Sequence, residues 1–109
     1  MTEAQIQRAV FENLKSRAFP SVVFWHVPNG PEARRKSGYL AGVADVNAVH
    51  RGKFYALELK KATKGMVSVE QLKFVSDINN AGGYACVAEG LDEALAILEA
   101  WNLIRKEAA

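Results

Sequence analysis

The segment from Val43 to Lys61 constrains the fold more than any other, because it reads as strand, tight turn, strand. Taking Arg51-Gly52 as the loop pairs His50 with Lys53, and counting outward sets Asp45 opposite Glu58. Directly paired residues share a sheet face, with Cβ atoms about 5 Å apart. Glu58 and Lys60 are two apart on one strand, so they also share a face. A two- or four-residue loop keeps Asp45 and Glu58 on one side, whereas a three-residue loop sets them on opposite sides. Gly52 suits a primed turn, and Arg51 is not the residue such a turn prefers.

The remaining elements follow from caps, breakers and periodicity. Thr2 reads as an N-cap with Gln5 at the box position, and Ile6, Val10 and Leu14 mark one helical face through about Arg17. Pro20 ends that element. Ser21 to Val27 is expected as a strand, broken by Pro28-Asn29-Gly30-Pro31. A connection over residues 31 to 42 closes on Gly42 and leads to strands over Val43–His50 and Lys53–Lys61. After a loop, Ser68 caps a second helix, with Gln71 at its box position and an apolar face of Leu72, Val75 and Ile78. Gly82-Gly83 stops it. Tyr84 to Ala88 is a fourth strand. A third helix then carries Leu91, Leu95, Leu98 and Trp101, with Asp92 and Glu93 first and Arg105 and Lys106 last, as the helix dipole favours. The order α-β-β-β-α-β-α, with a helical connection between strands three and four, predicts an α/β fold. Its mixed sheet has one right-handed parallel crossover and is covered by helices.

At 109 residues the chain is expected to be one domain, 1–109. Half of its residues are hydrophobic and a quarter charged, as in a compact fold. A net charge of +2 permits a nucleic-acid partner without demanding one. Cys86 is the only cysteine, which leaves no internal disulfide and no cysteine-based metal cage, and its apolar run reads as buried. No stretch is apolar for long enough to span a membrane, and no signal peptide is evident, so a reducing cytoplasm is the expected compartment.

In the third strand Tyr55, Leu57 and Leu59 form an apolar face, and Phe54, Ala56, Glu58 and Lys60 form the other. A Glu/Lys pair two apart is common by chance, and its plainer reading is a solvated pair. Asp45 at the matching register adds to the signal. Its plainer role is a strand-start Asp bonding a loop amide. Two carboxylates and an amine would otherwise converge where a hard divalent cation could sit, as metal-assisted phosphodiester hydrolysis requires.

The run Gly42-Val43-Ala44-Asp45, then Glu58-Leu59-Lys60, then Ser68-x-x-Gln71 resembles the virus-type replication-repair nuclease (VRR-NUC) domain of the PD-(D/E)xK nuclease superfamily. The resemblance runs from about Glu3 to Leu98. Ala44 stands where the family usually has proline, which is not a ligand. The resemblance implies a restriction-endonuclease-like mixed sheet flanked by helices. It implies Mg²⁺ or Mn²⁺ held by Asp45, Glu58 and the Leu59 carbonyl, with Lys60 acting on the attacking water and the phosphate. Glu3 on the inward face of the first helix is a further metal candidate, although a first-turn Glu also favours the helix dipole. Gln71 matches the family's glutamine near the site, and it can equally serve the Ser68 cap.

Arg34, Arg35, Lys36, Lys61 and Lys64 could hold DNA phosphates or be solvated loop charge. Tyr39 reads as a loop anchor. His26 and His50 have no further ligand-spaced His or Cys, which disfavours zinc.

The leading reading is a Mg²⁺- or Mn²⁺-dependent DNA endonuclease. The resemblance implies branched DNA such as Holliday junctions, and a replication or repair role in a bacterium or phage-infected cell. A homodimer is expected because one small site cuts one strand, with Trp101 or exposed loop residues at the interface. A non-catalytic nucleic-acid-binding module of the same fold is the alternative. A small interaction protein without a nucleic-acid role is the third.

Overall fold

The computed structural model describes residues 1–28, 35, 38–63 and 65–107. Among them, α1 (Glu3–Arg17) precedes β1 (Val23–Trp25), β2 (Val46–His50) and β3 (Lys53–Lys60), followed by α2 (Val69–Asn80), β4 (Tyr84–Glu89) and α3 (Leu91–Ala100). The sheet order is β1-β2-β3-β4, antiparallel except for the parallel β3–β4 pair. This is the expected order and the expected mixed sheet. No helix of the described residues is long and apolar enough to cross a membrane.

The two faces of β3 divide as its alternation requires. Tyr55, Leu57 and Leu59 join Ile6, Val10 and Leu14 of α1 and Ala94 and Leu98 of α3 in the main core. Phe54 and Ala56 face α2 instead, within a smaller core around Ala44, Phe74 and Ala85. Each large side chain fully withdrawn from water contributes roughly 1.5–3 kcal/mol, so the α1/α3 face carries most of the stability. Cys86 is half-buried against that core, and burial pushes its thiol pKa up.

Six expectations are corrected. The first strand is only Val23–Trp25, because Ser21 and Val22 complete a turn in which the Val22 N–H donates to the Phe19 carbonyl. The second begins at Val46, because Asp45 sits in a bend and the Asn47 amide bonds back to the Ala44 carbonyl at 2.9 Å. The third stops at Lys60, and the fourth continues to Glu89, which pairs with Lys60. In α2, Leu72 is exposed and Phe74 is buried, which rotates the buried face to Phe74, Val75 and Ile78. Helix α3 ends at Ala100, so Arg105 does not complement its dipole. Arg105 reaches the C-terminal carbonyls of α1 instead, with Nη2 donating to Ser16 at 3.0 Å.

Candidate active site

The β2–β3 register is His50 with Lys53 through Val46 with Leu57, and one further step sets Asp45 beside Glu58. Arg51 at φ 53 and Gly52 at φ 79 form the two-residue turn that fixes this register. Beyond Val46 the Asp45 side chain takes over from the ladder, its Oδ2 accepting the Leu59 N–H at 2.9 Å. Its carboxylate is therefore anchored at the end of β3, on the same side as Glu58. Gly42 makes that approach possible. Its φ is +82, and a Cβ there would lie 2.2 Å from the Glu70 carbonyl oxygen. The chain leading to Asp45 is thus pressed onto the start of α2, at a place only glycine fits.

Glu58 and Lys60 are not a solvated pair. Glu58 is 3% exposed and Lys60 7%. Their charged ends stand 3.9 Å apart, a loose ion pair. Glu58 Oε2 is buried with no hydrogen-bond partner. Burial is the main reason the Glu58 pKa is pushed up to about 9. A side-chain hydrogen bond and the charge of Asp45 add to this, Glu3 adds a little more, and Lys60 acts in the opposite direction. A buried carboxylate without a full set of partners is costly, and its usual escapes are a proton or a cation.

The donor chemistry suits a hard divalent ion: two carboxylates and a nearby strand-end carbonyl, all oxygen. Among the described residues no group of three or more His, Cys, Asp or Glu side chains is gathered for a metal. Glu3 is half-buried in the first turn of α1 and reaches Glu58 through its charge rather than closing a third carboxylate. The Leu59 side chain is in the core, leaving its backbone as the part available to a ligand.

Gln71 completes the capping box. Its Oε1 accepts from Ser68 N at 2.9 Å, and its own N–H donates to Ser68 Oγ at 3.1 Å. The amide NH₂ takes no part in that box. Of the basic candidates, Arg35 and Lys61 are exposed, whereas Arg34, Lys36 and Lys64 lie outside the described residues. Trp101 is partly occupied, its ring 5.4 Å from that of Tyr55.

Two residues at the site carried no signal in the sequence. His26 Nδ1 donates to the Asp45 carbonyl at 2.9 Å. The Gln7 amide nitrogen lies against the same ring, 3.2 Å from Nδ1 and 3.3 Å from Nε2. Gln7 in α1 and His26 after β1 thereby hold the backbone of Asp45 from two elements remote in sequence. His26 also sits edge-on to Phe11 at 6.0 Å. A histidine just past a strand end has no spacing pattern that would reveal these partners.

No protein-family model and no curated relative matches the sequence. Solved structures do match the fold. A "VRR_NUC domain protein" superposes with a TM-score of 0.75 at 21% identity, over 91% of this chain and 86% of that one. A "VRR_NUC domain" does so with a TM-score of 0.65 at 17% identity, over 91% of this chain and 97% of the other. The chain therefore has the VRR_NUC fold, the fold of the family that its motif order resembles.

Proposed function

We propose that this chain is a Mg²⁺- or Mn²⁺-dependent endonuclease that hydrolyses phosphodiester bonds in branched DNA, acting as a homodimer. One observation carries the reading: Glu58 Oε2 is buried without a partner beside Asp45, with the Lys60 ammonium on the same face. A binding module of the same fold has no use for an acid held at such a cost. Asp45, Glu58 and the Leu59 carbonyl would hold the ion, and Glu3 would add to the local negative charge. When bound, such an ion supplies charge for the phosphate oxygens and acidifies bound water.

The chain's own groups do the rest. Asp45, fixed by the Leu59 N–H and the His26 ring, keeps one carboxylate in place without reorganisation. Glu58, whose Oε2 has no partner, would release the proton that burial favours once an ion offset its charge. Lys60 is confined by burial and by Gly65, where a Cβ would lie 2.9 Å from the Lys60 Cβ. Its ammonium therefore stays near Glu58, where it offsets charge building on the phosphate. The Gln71 NH₂ can donate to a phosphate oxygen, and Arg34, Arg35, Lys36, Lys61 and Lys64 would hold flanking phosphates.

The test is incubation of labelled four-way junction, flap and linear duplex DNA with Mg²⁺, Mn²⁺ or EDTA. The expected result is metal-dependent cutting of branched DNA, abolished by Asp45→Asn, Glu58→Gln and Lys60→Ala while binding survives. Tight binding with no cutting in any metal would favour the non-catalytic module. A sedimentation mass of one chain, with and without DNA, would refute the dimer.

A further inference from the structure

The opposite end of the β2–β3 hairpin carries a second feature. Two adjoining cavities of about 360 and 170 Å³ share His50, Arg51 and Asn102. None of the residues lining either cavity is acidic, whereas Arg51 and Lys53 bring two cations. Among the described residues neither forms an ion pair. The Lys53 ammonium stands 5.7 Å from the Tyr84 ring centroid. His50 is buried at 9% exposure and tied to the Ser21 hydroxyl at 2.8 Å, so the floor is polar and fixed. Tyr55 and Trp101 form an aromatic wall, their rings 5.4 Å apart.

Arg51 is also not explained by the turn it occupies. Its φ of 53 is a conformation that glycine or asparagine adopts with less strain. Turn chemistry asks for another residue, and the cleft beside it asks for a cation.

We propose that this cleft binds one nucleotide of a nucleic-acid strand, its phosphate on Arg51 and Lys53 and its base against Trp101. The cleft lies about 17 Å from Glu58, five strand residues at roughly 3.3 Å each. That separation suits a second segment or arm of a DNA bound at the acidic end. The choice of a strand over a free mononucleotide rests on the nuclease reading. The cleft's chemistry does not, and its test needs no cleavage.

The chain has two tryptophans, so Trp25→Phe leaves Trp101 as the only reporter. In that background, with EDTA present, a short oligothymidylate should quench Trp101 emission saturably. Arg51→Gly and Lys53→Met should each weaken the oligonucleotide roughly fivefold and lower the salt slope by about one phosphate contact. Arg51→Gly should melt no lower than its parent, because glycine accepts the positive φ, which separates lost binding from lost folding. Free dTMP should quench only at much higher concentration. No quenching by the oligonucleotide, or unchanged affinity in both variants, would overturn the proposal. Equal affinity for dTMP and the oligonucleotide would overturn the strand assignment. Quenching that persists in a protein cutting no DNA in any metal would leave this site standing and sink the nuclease reading.

Discussion

The two ends of one hairpin use the same ladder for opposite electrostatics. At the open end, Asp45 and Glu58 are brought together with Lys60, and Glu58 and Lys60 are almost wholly withdrawn from water. At the closed end, His50 pairs with Lys53 around the Arg51-Gly52 turn, and Arg51 and Lys53 remain exposed. Strand pairing places both sets, and burial sets what each costs. An exposed cation is screened by water and charges the fold little. A buried acid with an unpartnered oxygen destabilises the metal-free fold until a proton or a cation arrives. Removing the buried charge of Glu58 should therefore lower activity while raising stability, and changes at the turn should move binding alone.

The largest effects are expected from the open end. Asp45→Asn or Glu58→Gln should lower the cleavage rate by roughly 10³-fold or more, the equivalent of several kcal/mol of barrier. Glu58→Gln should at the same time raise the stability of metal-free protein at pH 7 by on the order of 1–3 kcal/mol, since the amide carries no charge to suppress. Denaturant melts in EDTA check this, and a destabilised Glu58→Gln would break the contrast between the two ends.

Gly42→Ala comes next. A Cβ 2.2 Å from the Glu70 carbonyl, at φ +82, should cost about 2 kcal/mol or more and displace Asp45, lowering both melting temperature and cleavage.

The pH dependence of the metal-free fold follows from Glu58, whose pKa rises from 4.5 to about 9 on folding. The folded state binds the proton more tightly. The contribution of this group is thus fully present below pH 4.5 and is lost as pH rises toward about 9. The slope from this group is at most about 1.4 kcal/mol per pH unit. Melts across that window with EDTA and with Mg²⁺ should diverge as pH rises, the metal giving its greater benefit at the alkaline end.

The smallest effect sharpens the picture at the rim. His26→Ala should lower cleavage or metal affinity roughly tenfold, in the range seen when groups orienting a metal ligand are removed. His26→Asn, which offers an amide donor in place of Nδ1–H, should recover part of the loss. An equal defect in both variants would mean that His26 only packs against Phe11.

Much of this was legible in the sequence, for physical reasons. Alternation and a two-residue turn leave one register, so the closeness of Asp45 and Glu58 could be counted out from Arg51-Gly52. Both capping boxes were legible because they are local: Thr2 with Gln5, and Ser68 with Gln71. The start of β2 was not, since Asp45 leaves the ladder to accept the Leu59 N–H and the Asn47 amide turns back to Ala44. Leu72 read as core because it lies on an apolar stripe, but α2 meets the sheet through Phe74, a rotation that sequence does not encode locally. Gln7 and His26 were invisible as site residues, because the run of contacts from Gln7 through His26 to Asp45 joins three remote segments. The burial of Glu58 and Lys60 also came only from tertiary packing.

If Asp45 and Glu58 together hold one hard cation, calorimetric titration of metal-free protein with Mn²⁺ at pH 7, without DNA, should show saturable binding with proton release in the parent chain. Binding should be abolished in both Asp45→Asn and Glu58→Gln, each shown by melting to be folded. Mn²⁺ binding of undiminished affinity in either variant would contradict it.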